Sequence, residues 1–216
     1  MARNDRLTDG DVLLAVDIQN DFCAGGALGV PDGEAVVPVA NRLIAIFPHV
    51  VLTQDWHPKD HFSFASTYAG RLAYEVIEAP YGTQVLWPDH CVQGTSGAAF
   101  HPDLDPTRAE MIIRKGFRRT IDSYSAFYEN DRTTPTGLAG YLRERGLTHV
   151  YLCGLATDFC VAYSALDARR EGFAATVIED ACRGIDLDGS VQMAMEAMRG
   201  AGVAFASADS ILNGGR

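Results

Sequence analysis

A cysteine stands at a strand-to-helix turn in this chain. The segment Gly154-Leu155-Ala156-Thr157-Asp158-Phe159-Cys160 follows the apolar run Val150-Tyr151-Leu152-Cys153 and leads into a helical pattern from about Asp158 to Arg170. Backbone N–H groups left free at a helix start, together with the helix dipole, favour a thiolate and can also hold an oxyanion. The chemistry such a turn implies is acyl transfer. A lone cysteine is more often a small core residue. Cys153, inside the strand, reads as one, and Cys23, Cys91 and Cys182 carry no independent nucleophile signal.

Three further strand ends carry reactive groups. Asp17 directly follows the apolar run Val12–Val16 and is placed to take a proton from a thiol if the two meet across a crevice. Its bland alternative is a turn carboxylate, which is how Asp21 reads. Lys115 follows Met111-Ile112-Ile113-Arg114. A lysine there is either an ordinary solvated charge or a cation that lowers a thiol's pKa and keeps a carboxylate ionised. Arg114 should point to the opposite face. In Asp55-Trp56-His57, the period of an extended segment sends positions 55 and 57 to one side, so carboxylate and imidazole can share a metal. His61 lies four residues on, and His90 sits in Trp87-Pro88-Asp89-His90-Cys91. Mixed oxygen and nitrogen ligands suit zinc, iron or manganese, and spacing does not choose among them or against plain loop histidines. His49 and His101 lack such settings, and His149 reads as structural. Phe22, Trp56, Phe62, Phe64 and Trp87 flank these groups, either as core or as walls for a flat aromatic substrate.

The elements that must position these groups alternate along the chain. Strands are expected at 12–16, 50–53, 111–113, 150–153, 174–178 and 203–206, and helices at 34–47, 135–145, 158–170 and 189–199. Residues 57–108 show little periodicity and read as long functional loops. Only the first ten residues and Asn213–Arg216 read as loose ends. The alternation predicts a three-layer α/β/α sandwich with a mostly parallel central sheet of about six strands, one domain over 1–216 with its core at about 11–206. Such sheets place ligands at the carboxyl ends of their strands, where Asp17, Asp55, Lys115 and Cys160 fall.

Composition narrows the partners. With 28 acidic against 18 basic side chains the net charge is −10, which leaves no basic excess for nucleic acid or an anionic membrane. No apolar run approaches the ~20 residues a membrane helix needs. The N-terminus lacks the apolar core of a signal peptide, and five scattered cysteines argue against a disulfide framework. A reducing, cytoplasmic setting is the simplest reading.

Taken together, these residues resemble the nicotinamidase/pyrazinamidase branch of the isochorismatase-like cysteine hydrolases. The resemblance runs through Val16–Phe22, Thr53–Pro58 with His61–Phe64, Trp87–Thr95, Arg114–Gly116 and Gly154–Val161, within a match from about Asp11 to Ala206. It implies a triad of Cys160 as nucleophile, Asp17 as proton acceptor and donor, and Lys115 as electrostatic partner. It implies a divalent metal (zinc first, iron or manganese next) held by Asp55, His57 and His90, with His61 a fourth ligand in some members and further out in others. Phe22 and Trp87 would flank the ring. A cis peptide before Ala156 would aim the N–H groups of Ala156 and Cys160 at the carbonyl oxygen as an oxyanion hole. The implied activity is hydrolysis of nicotinamide, and of pyrazinamide, in NAD salvage, through a cysteine thioester. Two rivals stand beside it: an amidase of the same superfamily acting on a carbamoyl or ureido substrate, and a non-catalytic metal- or nicotinamide-binding protein. The metal set speaks against the first and the intact triad against the second. A homo-oligomer is left open.

Overall fold

A computed structural model describes residues 7–214. In chain order these form β1 (Asp11–Val16), α1 (Val36–Ile46), β2 (His49–Asp55), β3 (Val76–Ala79), β4 (Gly82–Val85), β5 (Met111–Lys115), α2 (Leu138–Glu144), β6 (His149–Leu155), α3 (Ala162–Arg170), β7 (Ala174–Arg183), α4 (Ser190–Gly200), β8 (Ala204–Ala206) and α5 (Ala208–Gly214). Six strands make one fully parallel sheet in the order β5-β2-β1-β6-β7-β8. Every side chain of β1 is buried, as expected of a continuous apolar run in the middle of a sheet covered on both faces. Leu13 and Ala15 face a core shared with α1 and α5, while Val12, Leu14 and Val16 face the core shared with α2, α3 and α4. The expected three-layer sandwich is therefore present. Among the described residues no helix is long and apolar enough to cross a membrane.

The strand order sets where the sheet opens. The chain winds outward from β1 through β2 to β5, then returns to β6 on the other side of β1 and winds outward again to β8. The reversal falls between β1 and β6, and the crevice forms there, at the carboxyl ends of the strands. Register pairs Val16 with Gly154, so the exit of β1 lies against the start of the cysteine turn.

Several elements differ from the sequence expectation. The stretch 57–108 holds an antiparallel hairpin, β3–β4, whose strands alternate weakly and are half exposed. Helix α2 starts later than Pro135, because Gly137 adopts φ 101° and the Thr136 hydroxyl bonds the Ala126 carbonyl at 2.5 Å instead of joining a helix. The helical pattern at Asp158 opens with a π-helical turn, Thr157–Val161, before α3. Asn213 and Gly214 close α5 rather than forming a loose end. At the other terminus, Thr8 is tied by its N–H and hydroxyl to Asp11 Oδ2 at 2.6 and 2.8 Å. The loose ends expected at Met1–Arg6 and Gly215–Arg216 lie outside the described residues.

Gly154 has φ 114°, and a Cβ there would collide with the Val16 backbone. Gly154→Ala is expected to lower stability by at least ~2 kcal/mol through a disfavoured backbone and a steric clash. Denaturant unfolding monitored by circular dichroism checks this, and an unchanged midpoint would contradict it.

Candidate active site

Four adjacent strand ends deliver four reactive groups to one point. Asp17 follows β1 with φ 46°, Asp55 ends β2, Lys115 ends β5 as the register partner of Asp55, and Cys160 lies in the turn after β6. All four are buried. The Lys115 ammonium is the centre. Its Nζ lies 2.8 Å from Asp17 Oδ2, 2.9 Å from Asp55 Oδ1, 3.0 Å from the Ser123 carbonyl and 3.3 Å from Cys160 Sγ. Its three N–H protons are donated to Asp55, the Ser123 carbonyl and Cys160, and Asp17 Oδ2 is held by the charge as an ion pair. The peptide Leu155–Ala156 is cis, as the resemblance implied.

Burial and charge set the protonation balance. Burial pushes the Cys160 thiol well above its ordinary value, against the opposing pull of Lys115. Burial likewise raises Asp17, with Lys115 again opposing. Burial would raise Asp55 too, but the charges of His57 and Lys115 outweigh it and hold that carboxyl well below the usual range. Lys115 is disfavoured by burial, yet Asp17 and Asp55 keep it charged and raise its pKa well above the usual lysine value. A neutral thiol therefore lies beside a carboxylate made more basic than a solvated one, with a fixed cation between them.

Asp55, His57 and His90 offer ligand atoms that all lie within 4.8 Å of one another, a group able to hold a metal ion. The donor set is suited to one. His57 Nδ1 lies 2.9 Å from the Gly116 carbonyl and His90 Nδ1 lies 2.8 Å from the Pro88 carbonyl. Those acceptors place the proton on Nδ1 in each neutral ring and turn both Nε2 atoms toward Asp55 Oδ2, at 2.9 and 3.3 Å. Lone pairs converging on a carboxylate call for a cation, and a carbonyl behind each imidazole is how metal-ligating histidines are oriented. The His57 pKa shows the same demand: burial lowers it, but Asp55 outweighs burial and raises it. His61 is built differently. Its Nδ1 accepts the Ser63 N–H at 3.3 Å, its Nε2 faces the Ile121 carbonyl at 3.2 Å, and burial and the neighbouring His57 push it down to about 4. It approaches His57 and Asp122 rather than Asp55.

Above these groups is a cavity walled by Phe22, Trp87, Tyr124, Ala156, Phe159 and Cys160. Trp87 meets Phe159 edge-on with centroids 4.8 Å apart and donates its Nε1–H to Tyr124 Oη at 3.1 Å. The structure brings Phe22 and Trp87 to this cavity but not Trp56, Phe62 or Phe64. Trp56 lies under the Arg114 guanidinium, Phe62 packs on Tyr68 and Tyr81, and Phe64 is core beside His57 and His90. Arg114 thus occupies the opposite face from Lys115, as expected.

The family model described as Isochorismatase domain matches residues 11–210. The nicotinamidase of Acinetobacter baylyi is 54% identical over 200 residues, covering 93% of this chain and 94% of that protein. The chain belongs to the isochorismatase family. Two solved structures of the family resemble it closely. One, from L. infantum in complex with nicotinate, has TM-score 0.83 at 39% identity and covers 95% of this chain and 96% of its own. The other, a pyrazinamidase of Pyrococcus horikoshii in complex with zinc, has TM-score 0.75 at 37% identity and covers 92% of this chain and 99% of its own.

In this isochorismatase-family site several residues escaped the sequence reading. Asp122 and Tyr124 line the cavity from an aperiodic stretch after β5, held by Gln84 of the β3–β4 hairpin at 2.9 and 3.0 Å. Phe159 lines the cavity next to Cys160, and its place in the turn was the one available signal. Thr53 supports the Asp17 carboxylate and Gln19 the Asp55 backbone, each from the neighbouring strand end. Asp21 reaches beyond its own turn, its Oδ2 accepting the Cys91 N–H at 2.7 Å.

Removing the buried cation would leave two carboxylates uncompensated. Lys115→Met is expected to destabilise the metal-free protein by ~3–5 kcal/mol, measured by chemical denaturation. Stability equal to that of the parent would show that the ammonium is not the partner holding both carboxylates.

Proposed function

We propose that the protein is a nicotinamide amidohydrolase, converting nicotinamide, and pyrazinamide, to the carboxylate and ammonia. The observation that carries this reading is the single buried ammonium shared by Asp17, Cys160 and Asp55 beneath an aromatic-walled cavity. Base, nucleophile and metal-ligand group are thereby fixed within one ring's reach of each other.

Asp17 takes the proton of the Cys160 thiol, and the sulfur attacks the carboxamide carbon held between the aromatic walls. The backbone N–H groups of Ala156 and Cys160, both on the cavity wall, receive the oxyanion of the tetrahedral intermediate. Lys115 balances the charge passing between Asp17 and Cys160. Asp17 gives its proton to the departing ammonia, leaving a thioester. A water molecule deprotonated by Asp17 then attacks the thioester, nicotinate departs, and the proton returns to sulfur. Phe22 and Trp87 confine the flat ring. Asp55, His57 and His90 would hold a divalent metal, zinc by preference, with His61 outside the direct ligands, and when bound the ion supplies Lewis acidity for ligating the pyridine nitrogen. The whole chain, 1–216, acts as one such domain, in a cytoplasmic setting and in NAD salvage, with a small molecule rather than nucleic acid or membrane as its partner.

The test is ammonia release. The parent should turn over nicotinamide and leave ureido compounds untouched. Cys160→Ala should lose at least ~10⁴-fold in rate while retaining full metal content, and a variant near parent activity would sink the assignment. Metal competition supplies a second check. His57→Ala and His90→Ala should each weaken zinc binding by more than ~100-fold, whereas His61→Ala should cost no more than the ~10–100-fold of an indirect partner. Equal losses in all three would make His61 a ligand.

A further inference from the structure

The two aspartates of the site are held by a crossed pair of polar side chains, each reaching from the strand end that carries the other aspartate. Asp17 and Gln19 lie just past β1, two residues apart, and Thr53 and Asp55 lie at the end of β2, also two apart. Thr53 Oγ1 accepts the Asp17 N–H at 3.0 Å and donates to Asp17 Oδ1 at 2.5 Å. In the opposite direction, Gln19 Oε1 accepts the Asp55 N–H at 2.8 Å, and Gln19 Nε2 donates to the Asp55 and Ala98 carbonyls, each at 2.9 Å. Thr53, Gln19 and Asp17 are fully buried.

The two devices control different things. Asp17 leaves β1 in the left-handed region, so its N–H departs from the ladder and needs a partner, which the Thr53 hydroxyl provides. The same hydroxyl has one proton, and giving it to Oδ1 fixes the plane of the carboxylate, whose terminal torsion is otherwise broad and two-fold. Oδ2 is then committed to Lys115 at 2.8 Å. Gln19 does not touch the Asp55 carboxylate. It exchanges two bonds with the Asp55 backbone, as a neighbouring strand would, and so continues the ladder past the point where β1 has turned away.

We propose that Thr53 and Gln19 are paired positioning residues. Thr53 sets the orientation of the proton-accepting carboxylate, and Gln19 sets the backbone position from which Asp55 serves the metal group. The inference rests on the amidohydrolase function proposed above. It separates the two carboxylates by effect: disturbing Thr53 slows chemistry, and disturbing Gln19 loosens the metal. A merely structural role would move both quantities together, or neither.

The experiment compares Thr53→Val, which keeps the shape and removes the hydroxyl, Thr53→Ser, which keeps the hydroxyl, and Gln19→Met, all assayed beside the zinc-loaded parent. Each is measured for kcat and KM on nicotinamide, for zinc affinity by chelator competition, and for folding by circular dichroism. Thr53→Val should lose about 100-fold in kcat, the cost of a misplaced reacting group, with KM and zinc affinity within about threefold of the parent. Thr53→Ser should recover kcat to within about threefold. Gln19→Met should weaken zinc about 10–100-fold while kcat at saturating zinc falls less than tenfold. Should Gln19→Met not fold, Gln19→Glu, which keeps the acceptor for the Asp55 N–H, takes its place with the same expectation. A Thr53→Val enzyme with parent kcat overturns the proposal. So does a Thr53→Ser enzyme as slow as Thr53→Val, or variants in which kcat and zinc affinity fall together. A parent that releases no ammonia counts against the function instead, so the two failures are distinct.

Discussion

One buried ammonium group organises this protein. Lys115 is almost wholly withdrawn from water and is kept charged by Asp17 and Asp55, which in turn remain close together only because that cation lies between them. Two carboxylates converging without it would repel each other in a medium that screens charge poorly. The strand order supplies the convergence. Reading across the sheet from its edge, β5 carries Lys115, β2 carries Asp55, β1 carries Asp17 and β6 leads to Cys160, so the order of the strands is the order of the site. Only the doubly wound path, which returns from the edge to place β6 beside β1, brings the cysteine turn against the exit of β1.

The same arrangement divides labour between two similar groups. Asp17 and Asp55 are both buried aspartates ion-paired with the same lysine, yet burial wins at Asp17 and raises it, while the added charge of His57 wins at Asp55 and lowers it. Environments that push paired acids apart assign their roles. The more basic carboxylate faces the thiol, and the one held ionised faces the imidazoles. Lys115 joins the two halves, so whatever alters charge among Asp55, His57 and His90 is felt through it at Cys160 and Asp17.

How much of this was legible in the sequence depends on the range of the interactions behind each feature. The sheet was visible because continuous apolar runs and helical spacing are local properties, and the strand ends came with them. Asp17, Asp55, Lys115 and Cys160 stood out because reactive types ended apolar runs. Thr53 and Gln19 did not, since an amide and a hydroxyl become supports only when a parallel neighbour arrives from 36 residues away. Asp122 and Tyr124 lie in an aperiodic segment and owe their position to Gln84 on a hairpin whose strands are too short and too exposed to show alternation. The late start of α2 was hidden for a similar reason, because the Thr136 hydroxyl makes a tertiary bond that local helix propensity does not anticipate. Among the aromatics near the motifs, Phe22 and Trp87, the two the resemblance singled out, reach the cavity, while Trp56 packs under Arg114 on the other face of the strand end.

The central claim is that Cys160, poised at the junction of β1 and β6 by Lys115 and Asp17, carries the acyl group during turnover. The most direct measurement is rapid acid quenching of the enzyme during nicotinamide hydrolysis, with intact-mass and peptide mass spectrometry of the quenched protein. The expected result is a transient nicotinoyl group on the peptide that contains Cys160 and on no other cysteine peptide. Steady turnover with the adduct on Cys23, Cys91, Cys153 or Cys182 instead would contradict it.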